Sequence, residues 1–258
     1  MHRDRGALSL LGGVACSHDP GRLRGRKALL LSLEEAARAG KTVLLLGGTG
    51  IGKTALLAEL GRRITSRDVP CGIAAQTRTL GDVTTALANA YQLTPQEGEN
   101  RRRFRSRLRL AVETRPGALL LDHVAEIGTA TKGFLRTLRG TGLGVLFAAD
   151  VENMRDHHAI RSLRLTHLEA WIPPLESRVM AVLLNELTVE FPLAHPLQDC
   201  DRRSLIRGAR GNPGRLAVAV ELLRAERYWR DRRVLPRAVM VQAMEKTVVD
   251  RLGSRHDV

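Results

Sequence analysis

The chain has 258 residues, 43% hydrophobic and 3% aromatic, with a formal net charge of +14 and a pI near 11. That is enough apolar material to bury a core, so a folded chain is expected rather than a disordered one, and the length admits one α/β domain with or without a small helical one. The charge favours polyanionic partners, or reflects an arginine-rich surface, while the scarcity of aromatic rings argues against gripping single strands by base stacking and leaves the duplex backbone as the expected nucleic-acid target.

Residues 1–20 read as an N-terminal extension. "MHRDRGALSLLGGVACSHD" has the basic start and apolar run of a secretion signal, but Gly12 and Gly13 break the run, and a cytoplasmic protein is expected. The three cysteines, Cys16, Cys71 and Cys200, have no metal-ligand spacing, so reduced thiols are expected. No stretch is long enough to span a bilayer.

"TVLLLGGTGIGKTALLAEL" carries the strongest signal. Residues 42–46 form a continuous apolar run, as a buried strand does. Gly47, Gly48, Thr49, Gly50, Ile51, Gly52, Lys53 and Thr54 follow, fitting G-x-x-x-x-G-K-[ST] between a strand and a helix expected over 54–63. Glycines let successive backbone N–H groups curl around phosphates, and the helix N-terminus adds its dipole. Lys53 is the candidate for the β- and γ-phosphates of ATP, and Thr54 for Mg²⁺.

A strand is expected over 68–76 and helices over 81–93 and 99–115, the latter with Phe104, Leu108 and Ala111/Val112 on one face. Pro116 and Gly117 mark the turn into "ALLLD", a buried strand ending in Asp122, the second candidate Mg²⁺ ligand. His123 follows where a glutamate that orients water is common in such ATPases, and Glu126 lies one turn on. A neutral imidazole also orients water, though less well than a carboxylate. A further strand is expected over 142–152. Helices follow at 176–190, 199–209, 214–230 and 236–252, the last with Pro236 in its first turn and an apolar stripe of Val241, Met244, Val248 and Leu252. Alternating strands and helices imply a parallel sheet covered on both faces. The expected organisation is an α/β nucleotide-binding domain over 21–174 and an all-helical lid over 175–258.

These motifs resemble the AAA+ ATPases, and within them the initiator-like clade. "LRGRKALLLSLEEAARAGKTVLLLGGTGIGKTALL" is similar to that family's opening, which places Gly25 and Arg26 before a helix by the adenine. "GARGNPGRLAVAVELL" is similar to its lid segment, and the resemblance implies that Arg215 reaches the γ-phosphate. "GVLFAADVE" stands where the family has its fourth core strand, with Asp150 where a polar first-sensor residue is usual. The resemblance also implies an arginine finger among Arg155, Arg161 and Arg164, with Arg161 and Arg164 preferred to Arg155; the alternative is that they are ordinary surface arginines. Among AAA+ proteins the chain is most similar to transposition regulators of the TnsC/TniB kind. That likeness implies an ATP-dependent homo-oligomer, ring or filament, on duplex DNA, with a transposase or target-selector protein as a further partner. The STAND signalling ATPases share the "GR…GxxGxGKT…GNP" layout, and a scaffold without turnover is the third reading.

Two basic segments complete the inventory. "RRRFRSRLR" places Arg101, Arg105 and Arg109 at i, i+4, i+8, one stripe that tracks phosphates, faces a neighbouring subunit or is merely solvated. "QTRTLGD" offers Arg78, flanked by Thr77 and Thr79, where the resembling regulators have loops that track DNA. With His123 after the metal-ligand strand, a slow ATPase is expected.

Overall fold

The computed structural model describes residues 23–75, 77, 79–122, 124, 127–151, 158, 167–229 and 238–244. The chain divides into two compact units. One lies within Met1–Leu46 and Thr54–Ala170, the other within Gly47–Lys53 and Trp171–Val258.

The first unit is built on a sheet of five strands: β1 (Thr42–Gly47), β2 (Cys71–Ala74), β3 (Ala118–Leu121), β4 (Gly144–Asp150) and β5 (Leu168–Trp171). Their order is β2-β3-β4-β1-β5. The β2–β3 and β3–β4 pairs are parallel, with Cys71 opposite Ala118 and Ala118 opposite Gly144. Five helices accompany the strands: α1 (Lys27–Arg38), α2 (Lys53–Thr65), α3 (Leu80–Ala90), α4 (Arg101–Thr114) and α5 (Thr129–Thr137). One sheet face presents Leu44, Leu46, Leu119, Leu121, Val145 and Phe147 to buried residues of α3, α4 and α5. On the other face α2 crosses so closely that a Cβ on Gly61 would meet Ile73 and Leu120, and α1 lies directly over Gly144. Because both faces are covered, the four residues of β3 are all buried, which is why they read as an unbroken apolar run rather than an alternation.

Local chemistry sets the element ends. β2 starts later than its expected residue 68, because Asp68 takes a left-handed φ of 58° and Pro70 has no N–H for the ladder. Pro70 contributes only its carbonyl, to Ala118 N–H. Helix α3 opens on a capping box between Thr79 and Asp82 and stops short of residue 93 where Gln92 turns left-handed at φ 54°. Asn100 caps α4 by accepting from the N–H groups of Arg102 and Arg103. Helix α5 was not among the expected elements. Its threonines and Gly133 are weak helix formers, and it is held by burial of Phe134 and Leu135.

In the second unit, α6 (Ser177–Glu190), α7 (Asp199–Ala209), α8 (Pro213–Leu222) and a short 3₁₀ turn (Glu226–Trp229) surround one core. Met180, Leu184, Leu205, Leu216, Val220 and Trp229 are among its buried residues. The helix expected over 214–230 is interrupted after Leu222, and Trp229 Nε1 donates back to the Leu223 carbonyl at 2.8 Å. Residues 238–244 are helical, but their buried side is Val239, Met240 and Ala243, with Val241 48% and Met244 41% exposed. The expected stripe is therefore rotated. Gly208 explains the rotation: a Cβ there would stand 2.8 Å from Met240 Cγ, so its absence makes room for Met240. Among the described residues no helix is long and apolar enough to cross a membrane.

Candidate nucleotide-binding site

In the first unit, β3 delivers Asp122 with its side chain 2% exposed. Its N–H donates to the Ala74 carbonyl at 2.9 Å, which continues the β2–β3 ladder by one residue. Thr54 Oγ1, in the first turn of α2, donates to Asp122 Oδ2 at 2.5 Å. A hydroxyl and a carboxylate thus meet across 68 residues of sequence. These are hard oxygen donors, the chemistry that Mg²⁺ takes, so the two residues present fit the metal that the sequence motif implies.

In the second unit, the segment Gly47–Lys53 forms a tight loop. Ile51 N–H donates to the Gly48 carbonyl at 3.2 Å. Gly50 and Gly52 have φ of 76° and 99°, conformations in which a side chain would be strained. Lys53 Nζ donates to the carbonyls of Gly47 and Gly48 at 2.9 and 3.0 Å, so the ammonium is folded over the loop's own backbone. Such a loop, with a lysine curled onto it, suits an anion of several phosphates.

The lid segment contributes from the same unit. Arg215 stands in the first turn of α8, its N–H donating to Asn212 Oδ1 at 3.1 Å. Asn212 Nδ2 donates to the Thr49 carbonyl at 2.9 Å, and Gly214 N–H to the Gly50 carbonyl at 2.9 Å. Sequence reasoning missed Asn212, whose bond to the loop has no local signal because nothing local links positions 163 residues apart.

Gly25 lies in a turn at φ 76°, and Arg26 stands at the cap of α1. Arg26 is only 4% exposed, and burial pulls its guanidinium down to about 10, so it is still cationic at neutral pH. Asp150 closes β4 and is half-buried, after two fully buried alanines.

The basic stripe resolves into unlike members. Arg109 Nε donates to Glu113 Oε1 at 2.8 Å, while Arg101 is exposed and Arg105 half-buried. Their neighbour Arg107 is held by Glu99 at 2.7 Å and lies over the Phe104 ring at 5.4 Å, so it serves α4 itself. Thr77 is fully buried and so does not present its hydroxyl to a duplex, whereas exposed Thr79 Oγ1 accepts from Asp82 N–H. Arg78, His123, Glu126, Arg155, Arg161 and Arg164 lie outside the described residues.

The arrangement is similar to several solved structures. Aeropyrum pernix ORC2, in ADPNP–ADP complexes, matches with a TM-score of 0.56 at 19% identity over 86% of this chain and 68% of that one. Domain III of the Thermotoga maritima replication initiation protein DnaA matches at 0.52 and 17% identity, over 89% of this chain and 96% of that one. Aeropyrum pernix ORC1, in complex with DNA, matches at 0.51 and 19% identity, over 84% of this chain and 65% of that one. The chain thus spans about two thirds of each ORC protein. No protein-family model matches the sequence, and neither does a curated protein.

Proposed function

We propose that this chain, whose fold is that of the P-loop AAA+ ATPases, binds ATP with Mg²⁺ and assembles in an ATP-dependent way on duplex DNA. The observation that carries the reading is the meeting of Thr54 with Asp122 at 2.5 Å, immediately after a loop whose lysine already folds onto it. In this reading Lys53 binds the β- and γ-phosphates, Thr54 and Asp122 hold the metal, and Arg215 reaches the γ-phosphate from the lid. Mg²⁺, when bound, neutralises phosphate charge. The chain's own part is to present N–H groups and cations to the phosphates and to keep the Asp122 carboxylate anchored on the sheet.

The finer assignment is to the transposition regulators of the TnsC/TniB kind, with a slow ATPase activity. It is supported by the motif order in the sequence and by the high positive charge. DNA in complex with one structural neighbour, Aeropyrum pernix ORC1, is in keeping with a nucleic-acid partner. Arginine fingers among Arg161 and Arg164 and a DNA role for Arg78 and the α4 stripe belong to the same proposal, as does the division into a nucleotide domain over 21–174 and a lid over 175–258.

The deciding experiment titrates a fluorescent ATP analogue with Mg²⁺ and with excess EDTA. The parent should bind in Mg²⁺ and lose affinity in EDTA. Lys53→Ala should weaken binding by about a hundredfold or more, as loss of a cation at a desolvated phosphate site does. Parent-like binding by Lys53→Ala rejects the site.

A further inference from the structure

Gly211-Asn212-Pro213-Gly214 does more than start α8. Asn212 is 7% exposed, and both ends of its amide are engaged. Oδ1 accepts the Arg215 N–H at 3.1 Å, the ordinary duty of a cap. Nδ2 donates to the Thr49 carbonyl at 2.9 Å. Only one orientation of the amide satisfies both, since one partner is a donor and the other an acceptor. One peptide further along, Gly214 N–H, among the first donors of α8 and so without a partner inside the helix, donates to the Gly50 carbonyl at 2.9 Å.

Two consecutive carbonyls of the phosphate loop are therefore held by the start of one helix. The approach is close enough to need glycine on both sides. A Cβ on Gly50 would stand 3.0 Å from Asn212 Oδ1, and a Cβ on Gly214 would stand 2.7 Å from Gly50 Cα. In a planar trans peptide the C=O and the following N–H point opposite ways. Holding the Thr49 carbonyl toward α8 turns the Gly50 N–H to the far side, while the Ile51 N–H, opposite the Gly50 carbonyl, closes the loop on the Gly48 carbonyl at 3.2 Å.

We infer that Asn212 is a positioning residue for the phosphate loop: its Nδ2–Thr49 bond, with the Gly214–Gly50 bond beside it, fixes the loop peptides so that the Gly50 N–H is held for a nucleoside triphosphate before it binds. The inference rests on the nucleotide-binding reading for its ligand, but not for the latch itself. Preorganisation of this kind raises affinity by removing an ordering cost.

Asn212→Ser and Asn212→Asp separate the latch from the cap. Both retain an oxygen that caps a helix well. Serine is too short to span to Thr49, and aspartate offers an acceptor where a donor is needed. In the full chain without nucleotide, each variant loses one hydrogen bond, and its melting temperature should fall by about 1–6 °C, the shift of one such bond in a chain this size. Backbone hydrogen exchange should speed up in peptides covering 47–57 and stay unchanged in α6 and α7. Affinity for a fluorescent ATP analogue should fall about three- to tenfold in both variants, the range of one lost hydrogen bond. Unchanged exchange in the loop overturns the inference. So does an affinity loss confined to Asn212→Asp, which would be charge repulsion, or faster exchange in α6 and α7 together with the loop, which would make Asn212 a structural cap. A parent that binds no nucleotide sinks the ATP reading separately, and loop exchange then still decides the latch.

Discussion

At the scale of single residues, the proposed ATPase chemistry turns on Asp122 and its successor. The carboxylate is buried, tied to β2 through its backbone N–H and already bonded to Thr54. Its position on the strand is not open to drift, so a metal held there has a fixed place. His123 follows it directly in the sequence. A strand-end carboxylate at that position orients water better than an imidazole does. Turnover should therefore lie below about 1 s⁻¹, the low end of ordinary enzymes. His123→Glu should raise steady-state phosphate release by about a hundredfold, the lower range for a positioned base, and leave ATP affinity within about twofold. If instead the imidazole serves as a neutral base, parent turnover falls as pH drops through about 6.5 and His123→Ala loses it. Rapid turnover in the parent that His123→Ala leaves intact at every pH rules out both accounts.

At the scale of elements, the site depends on how closely helices press onto the sheet. The contact between α1 and β4 is the tightest expression of this. A Cβ on Gly144 would stand 2.1 Å from the Ala37 carbonyl oxygen. The obstruction is backbone, so no side chain can rotate away, and α1 must lift or β4 must shift. Gly144→Ala should cost about 3 kcal/mol, the upper range of overpacking in a filled core, measured by urea unfolding as a lowered midpoint with an unchanged slope. Gly133→Ala is the matched control. Nothing lies within 4 Å of a Cβ there, and replacing a mid-helix glycine should add about 0.5–1 kcal/mol of stability to α5. A Gly144→Ala protein as stable as its parent would mean that α1 does not seat on β4 as described.

At the scale of the whole molecule, the proposed duplex binding rests on the charge of +14. Duplex binding should be insensitive to sequence and steeply dependent on salt, because each arginine–phosphate contact releases counterions. The α4 stripe gives this a number. Arg109 is engaged with Glu113, which leaves Arg101 and Arg105 as its accessible cations. Changing Arg101, Arg105 and Arg109 together to alanine should flatten the logarithmic salt slope by about two, at roughly 0.9 per contact, and Arg78→Ala by about one. Fluorescence polarisation on a labelled duplex between about 50 and 200 mM salt, the range over which such contacts lose most affinity, reads the slope directly. If both variants keep the parent's slope, neither segment touches DNA.

Much of this was legible along the sequence, because the rules involved act over a few residues. A continuous apolar run gave β1, the spacing Gly47 to Thr54 gave the loop, and the helix expected from residue 214 falls within one residue of the start of α8. The spacing of Phe104, Leu108 and Val112 likewise located α4, and the unbroken run at 118–121 located β3. Other features had no local signature. Helix α5 forms because Phe134 and Leu135 find a core, not because its residues favour helix. The buried face of residues 238–244 follows from the missing side chain at Gly208, some thirty residues earlier, where periodicity alone pointed to Val241 and Met244. The order β2-β3-β4-β1-β5 puts β4 between β1 and β3, and β1 beside β4 and β5, neither of which is its neighbour in the chain. That ordering, with α2 crossing the face of β3, brings Thr54 to Asp122. The close packing of two glycines then brings Asn212 to Thr49. Sequence determined which groups were available; the distances between them were decided by packing, whose partners lie 68 and 163 residues apart and so leave no trace in any short window of sequence.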